Sequence, residues 1–88
     1  MSKQSTQQLK LNIIFRTEPE GGFTVLVPSL PGCVTYGSSL SESRCMAEEA
    51  ISLYLEDMIA EGETIPEDAQ TYLSSIEVAL PTQSRIYA

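Results

Sequence analysis

The stretch Gly22–Glu42, GFTVLVPSLPGCVTYGSSLSE, constrains this chain more than any other part of it. Phe23-Thr24-Val25-Leu26-Val27 alternates and is rich in residues that suit a pleated, half-buried surface. Pro28 has no amide hydrogen, so a ladder along this strand has to end near it. Pro31-Gly32 suits the two central positions of a type II turn, where proline presets φ and glycine accepts a positive one. Cys33-Val34-Thr35-Tyr36 then reads as a second short strand. Ser39 followed by Glu42 has the spacing of a capping box, which opens a helix. A strand, a tight corner, a strand and a helix start therefore lie within twenty-one residues.

The rest of the chain supplies partners for this unit. Leu9, Leu11, Ile13 and Phe15 alternate with Lys10, Asn12 and Arg16, which predicts a strand over Leu9–Phe15 with Ile14 as its one apolar exception. Glu18-Pro19-Glu20-Gly21-Gly22 breaks it and suits a hairpin loop. Leu40, Ala47, Ile51, Tyr54, Leu55 and Met58 recur at helical spacing, which predicts a helix over Leu40–Glu61 with these residues as its core stripe. Gly62 suits the left-handed position after it, and Pro66 prevents its continuation. Tyr72–Leu80 ends in alternation, with Ile76, Val78 and Leu80 on one face, and predicts a fourth strand that Pro81 stops.

The expected fold is α+β, in the order β-β-β-α-β, with one long helix on one face of a mostly antiparallel sheet. Residues 1–8 are expected to fray, 9–81 to form the domain, and 82–88 to be a short tail. Ile14 and Leu26 point to the sheet face away from the helix. That face is expected to be partly apolar and suited to contact with another chain.

Charge and composition exclude several functions. The net charge is −7, and Lys3, Lys10, Arg16, Arg44 and Arg85 form no basic patch, so direct binding of nucleic acid is not expected. The chain has no histidine, its two cysteines form no CxxC, and no cofactor or metal site is expected. No signal peptide or membrane-length apolar run is present, so the chain reads as cytoplasmic, with reduced cysteines. Two-metal nuclease chemistry needs several carboxylates converging on one site. The second and third strands carry none and Glu77 stands alone on the fourth, so the chain is not expected to be an enzyme.

The run Gly22-Phe23-Thr24-Val25-Leu26-Val27-Pro28-Ser29-Leu30-Pro31-Gly32-Cys33 carries a resemblance as well as a fold. With Ser39-Leu40-Ser41-Glu42, the segment Glu49–Leu55 and Gly62-Glu63-Thr64-Ile65-Pro66, it resembles the N-terminal domain of HicB-family antitoxins. The structural positions of that pattern are Gly22, Pro28, Pro31, Gly32, Ser39, Glu42 and Gly62. The resemblance implies a partial ribonuclease-H-like fold without nuclease activity. It also implies a partner, a small basic HicA-like toxin that acts as an mRNA interferase, which the domain neutralises. Many members continue into a DNA-binding domain. Here only about eight residues follow the fourth strand, so operator binding is not expected, and in length the chain resembles short, stand-alone members.

Glu48, Glu49, Glu56, Asp57 and Glu61 are the candidate partner-docking residues, continued by Glu63, Glu67 and Asp68 in the following loop. A charged helix face is also what keeps a small domain soluble. Read functionally, it would steer in a basic partner. A homo-oligomer, at least a dimer, is the further expectation, because so short a chain gains from extra burial. An orphan self-assembling module without a cognate toxin is the alternative reading.

Overall fold

The corner organises the structure. In the computed structural model, which describes residues 8–82, Val27 and Cys33 close a double turn. The Leu30 amide donates to the Val27 carbonyl at 2.9 Å, and the Cys33 amide donates to the Leu30 carbonyl at 2.9 Å. Gly32 sits third in the second turn at φ +83°, the geometry of a type II turn. The corner joins β2 (Phe23–Leu26) to β3 (Val34–Gly37), and a loop at Glu18–Gly22 joins β1 (Ile14–Thr17) to β2. The three strands form one antiparallel sheet in the order β1-β2-β3, followed by a single helix α1 (Leu40–Ala60). The arrangement is α+β.

Register sorts the two faces. Phe15 lies opposite Val25, and Val25 opposite Thr35; Ile14 lies opposite Leu26, and Leu26 opposite Val34. The first row faces α1. Val27, Leu30 and Cys33 make the buried cluster, covered by Ile13, Leu11, Ala50, Ile51, Tyr54, Leu55 and Met58. Burial pushes the Cys33 thiol pKa up, so it behaves as a small apolar side chain there. The Tyr54 hydroxyl donates to the Pro31 carbonyl at 2.6 Å and ties the helix to the corner.

Both helix ends are sealed locally. The Ser39 hydroxyl accepts from the Glu42 amide at 3.1 Å. The Glu42 carboxylate reaches one residue further back than a capping box requires, and accepts from the Ser38 amide at 2.7 Å and from the Ser38 hydroxyl. At the other end, Gly62 at φ +72° donates to Ile59, and the Glu63 amide donates to Met58. These two bonds are those of a Schellman motif.

Three expectations need correcting. Leu40 was assigned to the core stripe, yet it is 54% exposed, and Ser43, fully buried, faces the sheet in its place. The helix approaches β3 so closely that any side chain on Gly37 would collide with the Ser43 backbone. Only a small residue fits there, and the Ser43 hydroxyl is satisfied within its own helix by Ser39 and Leu40 carbonyls. The second correction concerns the first strand, expected over Leu9–Phe15: its ladder runs Ile14–Thr17, because β2 ends at Leu26 before Pro28 and leaves residues 9–13 without a partner in the sheet. The third correction concerns the fourth strand. Residues 71–82 are exposed throughout, and they join no ladder among the described residues. Alternation specifies which side of a segment is apolar; it does not supply the neighbouring strand. The predicted frayed N-terminus, apart from Gln8, and the predicted tail beyond Thr82 lie outside the described residues.

Candidate interaction surface

The outward face of α1 carries the acidic residues because the inward face is committed to the sheet. Glu48, Glu49, Glu56, Asp57 and the C-cap Glu61 are all exposed. The structure divides them. Glu48 and Glu49 border a shallow concavity of about 530 Å³ with Cys45, Ser52 and Leu53. Asp57 and Glu61 border a smaller one of about 220 Å³ with Tyr54, Met58 and Glu63. Leu53 is 64% exposed and puts an apolar centre among carboxylates. Sequence reasoning missed it, although its place off the core stripe was the available signal.

None of the carboxylates on α1 has a cation within salt-bridge distance among the described residues. The ion pair recorded there is Arg16 with Glu18, at 3.5 Å on the β1–β2 hairpin. Glu18 also accepts from the Thr24 hydroxyl at 2.5 Å, and that bond, aided by Arg16, holds its carboxyl below the usual range. The α1 face therefore presents uncompensated negative charge.

Asp68 behaves differently from the acids it was grouped with. It is buried. Its carboxylate accepts from the Asn12 amide at 2.9 Å and from the Ser29 hydroxyl at 2.8 Å, and its own amide donates to the Lys10 carbonyl at 2.9 Å. The Asn12 amide first, then the Ser29 hydroxyl, hold its carboxyl below the ordinary aspartate range, with Lys10 adding to them. Asp68 is a clasp joining the post-helix loop to the segment before β1 and to the corner, not part of a docking surface. No local sequence signal marks it, since its partners lie 39 and 56 residues away.

The sheet face away from α1 is the second unpartnered surface. Register aligns Ile14, Leu26 and Val34 in one row and Arg16, Thr24 and Tyr36 in the next. Ile14, Val34 and Tyr36 are exposed. No group of three or more Cys, Asp or Glu side chains is placed to hold a metal ion among the described residues. No described helix is long and apolar enough to cross a membrane. The two surfaces offer charge and apolar area, the chemistry of contact with another macromolecule.

A family model described as the HicB-like antitoxin of bacterial toxin–antitoxin systems matches residues 11–82. The chain belongs to the HicB-like antitoxin family. The match spans the meander, the corner, the helix and the exposed segment. A UPF0150 protein of Thermoplasma acidophilum is 37% identical over 60 residues, covering 68% of this chain and 87% of that one. A UPF0150 protein of Synechocystis is 31% identical over 68 residues, 77% of this chain and 86% of that one. An uncharacterized 14.9 kDa protein of Haemophilus phage HP1 is 44% identical over 45 residues, which cover 51% of this chain and 34% of the phage protein. The similarity thus extends to relatives of similar length and to part of a longer one.

Proposed function

We propose that this HicB-like domain binds and neutralises a small basic HicA-like mRNA interferase toxin. The observation that carries the reading is the family match across residues 11–82. The α1 face supports it: Glu48, Glu49, Glu56, Asp57 and Glu61 are exposed, Glu48 and Glu49 share a hollow with Leu53, and none has a salt-bridge partner among the described residues. An apolar centre with a charged rim suits a protein partner of opposite charge. The partner's cations would be steered in by this field, and the contact would mask them from RNA. The domain acts by occlusion and contributes no catalytic group.

The test is co-expression of the full chain with a HicA-like toxin encoded beside it. Restored growth and a co-eluting complex support the reading. The Glu49→Lys/Glu56→Lys double variant should slow association and flatten its salt dependence. Unrelieved toxicity with both proteins soluble would remove the reading. The alternative, a self-assembling module serving another partner, is favoured by one observation, the exposed segment 71–82.

A further inference from the structure

The segment after the Asp68 clasp has the pattern of a strand and lacks a sheet. Ile76 is 85% exposed and Val78 74%, and Leu80 continues the same alternating row. At its base the chain is anchored. The Asn12 side-chain amide donates to the Thr71 carbonyl at 2.9 Å, and the Lys10 ammonium sits 4.3 Å from the Tyr72 ring centre. Beyond that point it joins no ladder among the described residues.

The same molecule lacks a strand in one place. β1 pairs with β2 on one side only, so its outer edge is open. The helix lies over β3 and β2, and beside the segment that leads into β1 this leaves a groove of about 500 Å³ with Leu9, Leu11, Ile13, Ala47, Ile51 and Leu55 in its lining and Arg44, Glu48 and Ser52 along the helix side. A second hollow continues it through Leu55 to Ile59 and Ile65. From Arg44 to Ile59 the helix side runs roughly 22 Å. That length takes about seven strand residues, the number from Ser74 to Leu80.

We propose that Ser74–Leu80 of one molecule adds to the outer edge of β1 of a second copy, reciprocally, so that Ile76, Val78 and Leu80 fill the partner's groove in a strand-exchanged dimer. Surface area supports a second copy as the occupant. Exchanging two such strands, each roughly 25 Å long and covering two surfaces, buries on the order of 1,000–1,500 Å², which reaches the lower part of the roughly 1,200–2,000 Å² of stable interfaces. A two-fold operator satisfies both open edges and both free segments at once. Alternation also sets the charge. With Ile76 and Val78 turned to the groove, Glu77 falls on the other sheet face, which at β1 carries Arg16. The exchange covers Glu48 at the groove's rim, leaves Glu49, Glu56, Asp57 and Glu61 free, and does not depend on the toxin reading.

The test joins light scattering with isotope-filtered NMR on mixed labelled and unlabelled full-length chain. The expected results are a dimer of twice 9.6 kDa and contacts from Val78 methyls to Ile51 and Leu55 between molecules. Val78→Asp should raise the dimer dissociation constant at least tenfold. It should leave the sheet and helix folded, because Val78 lies outside their core. A monomer overturns the proposal. So does a dimer in which the Val78 contacts arise within one molecule, and so does a dimer indifferent to Val78→Asp.

Discussion

The corner at Val27–Gly37 and the segment at Tyr72–Leu80 are both short, apolar and alternating, yet one is closed and the other is bare. The corner carries its own turn chemistry: Pro31 and Gly32 set the reversal, two backbone bonds hold it, and β3 meets β2 a few residues later. The segment carries the side-chain pattern and no turn that returns it to an edge. Apolar alternation with a local reversal folds where it stands. The same alternation behind a long connection needs an edge brought to it.

The largest effect expected on the closed side comes from Gly37→Val. A side chain there meets the Ser43 backbone, and forcing the helix off β3 should cost about 3 kcal/mol or more. The urea midpoint reports it, and an unchanged midpoint would mean that the helix does not sit on Gly37. Gly32→Val comes next, at about 1–2 kcal/mol for a β-branched residue at positive φ. Unaltered melting there would show that the corner is not a type II turn. Ser39→Ala should cost about 1 kcal/mol through the lost cap, visible as a lower melting temperature with the sheet intact. On the surface, Glu49→Lys/Glu56→Lys should shift stability by no more than about 0.5 kcal/mol while changing association with a basic partner.

Asp68 sharpens the comparison by pH, since it anchors the bare segment to the closed body. Its carboxyl is held below the ordinary value by Asn12 and Ser29. Its contribution to stability is therefore complete above the unfolded value of about 3.9 and is lost as pH falls through the lower, folded value. The stability gap between the native chain and Asp68→Asn should stay level from neutral pH to about pH 5 and narrow below about pH 4. A gap that narrows instead toward alkaline pH would contradict the clasp. Glu42, held down by the Ser38 hydroxyl and then its amide, titrates in the same direction. Ser38→Ala, which leaves the amide bond in place, gives the control.

The sequence-to-structure record follows the same division. The order of the meander, the corner and both helix ends were legible because each rests on residues within a few positions, Pro31-Gly32, Ser39 with Glu42, and Gly62, whereas the place of the first strand, expected at Leu9–Phe15 and found at Ile14–Thr17, depended on where β2 ends. Leu40 was misassigned because a helical stripe does not reveal how close the sheet comes, and Gly37 against Ser43 decides that. The acidic face was legible as composition, whereas its apolar centre at Leu53 and the removal of Asp68 from it required three dimensions. The fourth strand was legible as a pattern and illegible as a pairing.

The Asp68 clasp has a consequence for the order in which the chain acquires its structure. The meander and the helix join neighbours in sequence, whereas the bond from Asn12 to Asp68 spans 56 residues. Long loops are closed late, after local contacts have formed. The clasp is therefore expected to be the last bond made on refolding and the first released on local opening. Local opening at Asp68 would then release the connection to segment 71–82 while the sheet and helix stay formed, so the segment's reach is set by one buried carboxylate.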